Sequence, residues 1–457
     1  MKKLSTTFIL LVCLMIPLCY GLFQGGLIKG HDAIGGLMRL LYMDRYLGDG
    51  QLYPRWFPEV NLGYGSPMFN FYQPLFYFVG ILFFKITHQG VLSLNLTCVL
   101  FWVLSGVGMY FFARELFGHK GGVLSAVAYM YSPYHIQDLY VRGAFSEFSA
   151  FAFFPLLLFS FLKISQKVEV KYIALGVISV ASLSLMHNIM SMLFFPVVLC
   201  YIVFLSLTGK NIRSFLLSLF IILIGLMISA FFWLPAFQEK KFLNLIFLIF
   251  LHYEFHQNFL SWTQLLNTPW GVDLTDTKHQ SFHIGIFSMI LGLLPLAFIV
   301  QKFKERRDFF LQYLFFIVVA IGAIFLIVPL SHIIWEKVVL LRLVQFPWRF
   351  LAIVSFAISL LSGGILAFIQ SKSLSNAVLG IAIVLIILSA GRFLYPITSQ
   401  AVDEDFLKKD ISNTMLLGEG EYTPLWIMLP PEFRPFQKFQ LLSLSGGFSQ
   451  YTIIVIF

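Results

Sequence analysis

The sequence predicts an all-α polytopic membrane protein with about eleven transmembrane helices. Hydrophobic residues make up 59% of the 457 residues and charged residues only 12%, whereas soluble proteins carry about 25% charge. The mean hydropathy is +0.84. Apolar runs of roughly 20 residues, the length that crosses the hydrocarbon core of a bilayer, recur along the chain. Together these observations favour a protein whose solvent is mostly lipid.

The apolar runs place the spans in order along the chain. One further stretch, Phe69–Phe84, contains Pro74 and many aromatic residues. A twelfth crossing there would invert every later loop, so we predict a broken juxtamembrane or re-entrant helix on the outer face. The short apolar run Leu243–Leu251 is also predicted to lie at the outer surface. The predicted spans are about 4–23, 91–112, 122–138, 146–164, 171–187, 190–208, 214–235, 284–301, 309–330, 349–371 and 376–395.

The distribution of charge predicts the orientation. Lys2 and Lys3 precede the first span, which places the N-terminus in the cytoplasm by the positive-inside rule. Alternation then assigns 14 basic and 4 acidic residues to the inner side, and 17 basic and 18 acidic residues to the outer side. The basic pI near 9.2 is therefore a topology signal, and it gives no support to nucleic-acid binding.

The predicted topology divides the chain into a transmembrane domain, 1–395, and an extracytoplasmic C-terminal tail, 396–457. Two large outer loops lie within the first domain, at about 24–90 and 236–283. The first span lacks a convincing small-x-small cleavage site, so we expect an uncleaved anchor. The final YTIIVIF has the pattern of a strand cut midway, from which we expect a truncated version of a longer protein. The predicted location is the inner (plasma) membrane.

The segment GHD, residues 30–32, follows the first span directly. A carboxylate at the membrane–water boundary can serve as a general base that activates a hydroxyl or an amine. Asp32 also precedes the amphipathic pattern AIGGLMRLLYMDRYL, where an acidic residue commonly caps a helix. The residues alone leave both roles open, with capping ahead. His31 has no assigned task.

Three arginines, Arg55, Arg142 and Arg349, lie beside aromatic residues on the predicted outer side. A guanidinium grips phosphate through two parallel hydrogen bonds. We therefore predict that these residues bind a phosphate at headgroup level. Snorkelling to lipid headgroups is the alternative.

Ionisable groups near the membrane are costly unless they are paired or face water. We therefore predict that further polar residues on the outer side line a water-filled cavity. Glu147, five residues after Arg142, has ion pairing as its simpler role. The four cysteines show neither metal-ligand spacing nor a disulfide pattern. The candidates for lining the cavity are His31, Glu59, Tyr72, Glu147, His187 and Asn188.

These features resemble the C-type (GT-C) glycosyltransferase superfamily over most of the chain. The shared pattern is a first span, an acidic residue just after it, an aromatic-proline segment, a basic turn and further spans. A bacterial branch of uncharacterised membrane proteins, some of which carry a label mentioning 6-pyruvoyl-tetrahydropterin synthase, is more similar still. Nothing in the residues indicates pterin chemistry, and we treat that name as a mislabel. The matching segments are GHD, LYPRWFPEVNLGYGSPMFNFYQPLFY, YVRGAFSEF, LMHN, QFPWRFL and GEGEYTPLW.

The resemblance implies an inverting transferase that moves a sugar from a polyprenyl-phosphate-linked donor to a cell-envelope glycan, lipid or protein. It assigns the role of base to Asp32 and phosphate binding to Arg142 and Arg349, with Arg55 third. Relatives often carry a second acidic pair on a later outer loop. Here only Asp403 and Asp405 have that spacing, and they lie in the tail, so a divalent metal has no support and no cofactor is predicted.

Two other classes of function stay open at this point. A transporter or flippase for lipid-linked glycans needs polar groups at the bilayer midplane and usually repeated halves. The predicted spans show neither feature. A non-catalytic scaffold for envelope assembly does not explain why costly charged residues gather at one depth.

Overall fold

The computed structural model describes residues 2–58, 65–243, 255–266, 282–297, 307–391, 394, 399–400, 402, 404, 427–428 and 454–455. Helices make up most of this part of the chain. The helices of the first half are α1 Lys2–Tyr20, α2 Ala33–Gly48, α3 Met68–Phe71, α4 Leu75–Thr87, α5 Gly90–Met130, α6 Pro133–Tyr140, α7 Phe145–Ala150, α8 Phe153–Gln166, α9 Val170–Met186 and α10 Asn188–Gly209. Those of the second half are α11 Ile212–Ile228, α12 Ala230–Glu239, α13 Trp262–Leu266, α14 Ile286–Leu293, α15 Arg307–Ile327, α16 His332–Lys337, α17 Val339–Arg342, α18 Leu351–Ser362 and α19 Lys372–Ala390.

The membrane fold predicted from the sequence is confirmed. Within the described residues, seven helical segments are long and apolar enough to cross a bilayer, or up to eight if a bent pair is one span. The segment Gly90–Tyr140 covers two predicted spans, because α5 changes direction at Gly118, where φ is +78°. Glycine adopts that conformation at no steric cost. The total of eleven spans stays a prediction.

The predicted span 214–235 is bent. Helices α11 and α12 meet at Ser229 at an angle of 72°. The Ser229 hydroxyl donates back to the carbonyls of Gly225 and Leu226, at 3.2 and 3.1 Å, and such bonds commonly bend a helix. The Trp233 indole donates to the Leu226 carbonyl at 2.9 Å, which satisfies an acceptor freed by the bend.

The stretch Phe69–Phe84 forms two helices, α3 and α4, interrupted at Tyr72–Pro74. At 13 residues, α4 is shorter than a spanning helix. This agrees with a broken segment rather than a twelfth straight crossing. Most of Leu243–Leu251, and the later part of the predicted span 284–301, lie outside the described residues.

Two segments form the centre of the bundle. Pro347–Ala367 has 94% of its most apolar window buried and Phe145–Gln166 has 83%, whereas Lys372–Ala390 has only 22%. Close backbone contact supports the centre, because a Cβ on Gly363 would clash with the Gly121 carbonyl oxygen. Small residues allow such approach between membrane helices. Glu147 and Arg349 both lie near the first residues of these central segments, which positions them against each other.

Four short strands are also present: β1 Leu27–Ile28, β2 Ser399–Gln400, β3 Ile427–Met428 and β4 Ile454–Val455. Strand β1 pairs antiparallel with β2, and β3 with β4. The carboxylate of Glu404 accepts hydrogen bonds from the amides of Gly90 and Val91, at 2.7 and 2.9 Å. Strand β2 is therefore attached to the first loop, and Glu404 to the first residues of α5.

Candidate active site

The GHD segment is held against the turn between α6 and α7. The amide of Asp32 donates to the carbonyl of Arg142 at 2.8 Å. A Cβ on Gly30 would lie 2.8 Å from the amide nitrogen of Gly143, and one on Gly143 would lie 2.7 Å from the Cβ of Ala33. The two backbones meet where no side chain fits, which fixes Asp32 beside the arginine segment.

Asp32 occupies the N-cap position of α2, but its side chain makes no capping hydrogen bond. The helix start is instead supported by its carbonyl, which accepts from the Gly36 amide at 2.9 Å. The Asp32 side chain is exposed. Of the two roles left open by the sequence, side-chain capping is therefore not observed, and the residue is accessible to solvent.

Behind Asp32 lies a group of buried polar residues that we call the Glu147 cluster: Glu147, Arg142, Arg349, Asp138 and Tyr134. The Glu147 carboxylate bridges the two arginines, at 2.9 Å from Arg142 Nη1 and 3.3 Å from Arg349 Nε. It also accepts from the Tyr134 hydroxyl at 2.8 Å. Asp138 forms a second ion pair with Arg142 Nη1. Two positive and two negative side chains thus balance each other at a depth where an unpaired charge is expensive.

The two arginines of the cluster share an aromatic surface. The Arg142 guanidinium lies 4.7 Å from the Trp348 ring centroid, and that of Arg349 lies 5.8 Å from it. Phe346 and Phe282 stack on the same indole. Aromatic faces attract cations and hold a planar guanidinium in a fixed orientation. Both ion pairs of Arg142 go through Nη1, so its other nitrogens are not used by them.

The predicted cavity residues His187 and Asn188 lie at the junction of α9 and α10. His187 Nε2 is 3.8 Å from Glu147 Oε2, and its Nδ1 accepts from the Met190 amide at 3.2 Å. His187 thus both caps α10 and borders the Glu147 cluster. Asn188 is exposed as the first residue of α10.

Arg55 lies in a different set of contacts. Its guanidinium donates to Asn70 Oδ1 at 3.0 Å and to the Phe231 carbonyl at 2.6 Å, and Asn70 in turn donates to Glu239 at 2.7 Å. These bonds join the first loop to α12. Phosphate binding by Arg55 stays a prediction, and Glu59 lies outside the described residues.

Tyr72 belongs to a third polar group, which we call the Arg39 box: Arg39, Tyr72 and Tyr77. The Arg39 guanidinium lies 4.0 Å from the Tyr72 ring centroid and 3.5 Å from the Tyr77 hydroxyl. Arg39 is only 7% exposed. Its position, seven residues after Asp32, places it on the same face of α2 two turns further along.

Sequence reasoning missed Arg39, Asp138 and Tyr134. Asp138 and Arg39 each had a usable signal. Asp138 is four residues before Arg142, the spacing of an ion pair on a helix. Arg39 is a cation within the buried face of an amphipathic helix, where Arg is seldom found unpaired. Tyr134 cannot be singled out in a chain so rich in aromatic residues, and only its hydrogen bond to Glu147 distinguishes it.

In the part of the chain that the structure describes, no three His, Cys, Asp or Glu side chains are grouped so that they could hold a metal ion. Asp403 and Asp405 lie outside it. Glu404, between them, is described and binds the first amides of α5.

The helical bundle has the GT-C fold of membrane glycosyltransferases. Arabinofuranosyltransferase AftD from mycobacteria matches with a TM-score of 0.55 and 17% identity, over 86% of this chain and 27% of that chain. ArnT from Cupriavidus metallidurans, bound to undecaprenyl phosphate, matches with a TM-score of 0.47 and 14% identity, over 84% of this chain and 63% of that chain.

The family model "6-pyruvoyl-tetrahydropterin synthase related domain; membrane protein" matches residues 69–397, which is more than half of the chain. The chain belongs to this family of membrane proteins. An uncharacterized protein from Lactococcus lactis subsp. cremoris (strain MG1363) is 26% identical over 254 residues, 52% of this chain. The match spans 41% of that relative's length.

Replacing Gly143 by Ala is expected to destabilise the site. Its φ is +63°, and the added Cβ would lie 2.9 Å from the Ala33 amide nitrogen. The left-handed conformation alone costs roughly 1–2 kcal/mol for a residue with a Cβ. We expect a lower thermal midpoint in detergent, measured by intrinsic fluorescence. Gly48→Ala, where a Cβ meets nothing within 4 Å, is the control, and equal midpoints for the two variants would contradict the close approach.

His31 is expected to make stability depend on pH. Burial lowers its pKa below the ordinary 6.5, and the charge of Arg142 lowers it further against the opposing effect of Asp32. The His31 side chain therefore binds a proton more readily in the unfolded chain than in the folded protein. Its full contribution to the stability of the folded state is present above about pH 6.5, and this contribution is lost as the pH falls through the lower pKa of the folded state. Thermal midpoints between pH 7.5 and 5 should fall less for His31→Gln than for the exposed His332→Gln. Equal slopes would exclude His31 as the cause.

Proposed function

We propose that this protein is a membrane glycosyltransferase. Its donor is a sugar linked to a polyprenyl phosphate, its acceptor is a cell-envelope glycan, lipid or protein, and transfer takes place at the extracytoplasmic face. The observation that carries the proposal is the hydrogen bond from the Asp32 amide to the Arg142 carbonyl at 2.8 Å. This bond holds the backbone of Asp32, whose side chain is exposed, against the backbone of Arg142, and the fold supports a protein of this class.

The proposed reaction is a single displacement with inversion. The acceptor hydroxyl passes its proton to the Asp32 carboxylate while its oxygen bonds to the anomeric carbon of the sugar. The bond from that carbon to the phosphate oxygen breaks, and its electron pair leaves with the polyprenyl phosphate. The developing negative charge is the main electrostatic demand of the step.

Arg142 and Arg349 are proposed to bind the donor phosphate. The Glu147 cluster fixes both guanidinium groups before the substrate arrives, so little ordering is needed at the moment of reaction. The aromatic surface of Trp348, 5% exposed, provides an apolar border suited to the adjoining prenyl chain. His31, His187 and Asn188 are left as groups that line the cavity.

The test uses the purified protein in nanodiscs of neutral phospholipid. A panel of polyprenyl-phosphate-linked sugars is added, and both released polyprenyl phosphate and glycosylated acceptor are measured. We expect equal amounts of the two products. A parallel assay uses the protein in sealed vesicles, where movement of the intact lipid-linked sugar across the membrane without release of polyprenyl phosphate would instead establish the transporter alternative.

A further inference from the structure

The charge balance of the described residues differs sharply between the two buried arginine sites. In the Glu147 cluster, Arg142 and Arg349 are matched by Asp138 and Glu147. Arg39 forms no ion pair with any carboxylate among the residues that the structure describes, and its Nε is buried without a hydrogen-bond partner. A buried, unneutralised guanidinium is costly, and the contact with Tyr72 offsets only part of that cost.

The chemistry of the Arg39 box suits an oxyanion. The guanidinium supplies several N–H donors and a full positive charge. The hydroxyls of Tyr72 and Tyr77 are hydrogen-bonded to each other, and this pair adds one further O–H donor beside the guanidinium. Tyr72 is partly exposed whereas Tyr77 is buried, so the group reaches solvent at the Tyr72 ring. Arg39 also lies within the electrostatic reach of Asp32.

The spacing along α2 matches the proposed displacement. Seven residues of helix separate Arg39 from Asp32 by about 10 Å. In an in-line transfer, the base, the nucleophile, the anomeric carbon and the ligand of the leaving phosphate follow one another at contacts of about 3 Å, so base and phosphate ligand lie on the order of 10 Å apart. A single helix therefore carries both residues, at a backbone separation of the same order as the distance that the transfer requires.

We infer that the Arg39 box is a phosphate-binding site, in which Arg39, Tyr72 and Tyr77 receive the phosphate of the lipid-linked donor and stabilise it as the leaving group. This inference rests on the proposed function and adds a third arginine to Arg142 and Arg349. Arg39 adds a positive charge that has no carboxylate partner among the described residues, whereas Asp138 and Glu147 balance the charges of Arg142 and Arg349.

Binding of a polyprenyl phosphate to the full chain in phosphatidylcholine nanodiscs tests the inference. The affinity of Arg39→Met is expected to be about 10- to 100-fold weaker than that of the wild type, the range for losing hydrogen bonds to a charged group. Arg39→Lys should fall between the two. Arg45→Met is the matched control, because Arg45 is exposed on the same helix, and it should bind as the wild type does. Polyprenol, which lacks the phosphate, should show no dependence on Arg39.

Thermal midpoints without ligand separate binding from a structural role. Removal of an unneutralised buried charge should leave the midpoint of Arg39→Met equal to or above that of the wild type. A clear fall would make Arg39 structural and overturn the inference, as would unchanged affinity in Arg39→Met. The inference would also be overturned if Arg39→Met weakened the binding of inorganic phosphate only and left the binding of polyprenyl phosphate unchanged. If the wild type binds no polyprenyl phosphate at all, the proposed function itself fails.

Discussion

Asp32→Asn should lower the rate of sugar transfer roughly 10²- to 10⁴-fold, the contribution typical of a general base. The amide of asparagine keeps the shape of the side chain but cannot accept the acceptor's proton. Because the Asp32 side chain is exposed and does not cap α2, the folded state should be unaffected. Binding of the donor should also persist, since the phosphate ligands are elsewhere.

The measurement is single-turnover transfer in nanodiscs, with the thermal midpoint as the check on folding. Asp49→Asn is the matched control, because Asp49 is an exposed carboxylate at the other end of α2. Full activity in a well-folded Asp32→Asn protein would remove Asp32 from the role of base. A lower midpoint with unchanged rate per folded molecule would identify it as structural.

Glu147→Gln should produce the largest loss of stability, about 3–5 kcal/mol, which is typical when one partner of a buried ion pair is removed. The substitution leaves Arg349 without a carboxylate and leaves Arg142 with Asp138 alone, at side chains that are 9% and 7% exposed. The carboxylate cannot be replaced by water easily, since the site is enclosed by Tyr134 and the Trp348 surface.

Thermal unfolding in detergent, supported by resistance to proteolysis, measures this effect. Glu115→Gln is the control: its ion pair with Lys163, at 3.1 Å, has side chains 29% and 20% exposed, and such pairs contribute below about 1 kcal/mol. If Glu147→Gln and Glu115→Gln unfolded at the same temperature, the cluster would not be the structural centre of the site.

Hydropathy and charge identify the membrane fold because both arise from the same physical constraint, the cost of placing polar groups in lipid. Each predicted span therefore has a helical counterpart among the described residues, and the predicted membrane fold is confirmed. The bend at Ser229 was not predicted, because a single serine within an apolar run does not show whether its hydroxyl will bond to the backbone and bend the helix.

The candidate site could be predicted only in part. The sequence indicates that Asp32, Arg142 and Arg349 lie on one side of the membrane, because each is near the end of a span. It does not show that Glu147 bridges the two arginines, since that contact depends on two central helical segments that begin about 200 residues apart. The sequence likewise does not show that Arg39 lacks a carboxylate partner among the described residues, because ion pairing depends on how the helices pack.

The pairing of β1 with β2 has a consequence for biogenesis. Residues 27–28 are synthesised long before residues 399–400, yet the two pairs share one ladder next to Gly30. The guanidinium of Arg349 is likewise synthesised long after Asp32. A chain that is inserted helix by helix cannot assemble the Glu147 cluster until the segment that carries Arg349 has entered the membrane. Translation products that end before Arg349 should therefore lack this cluster.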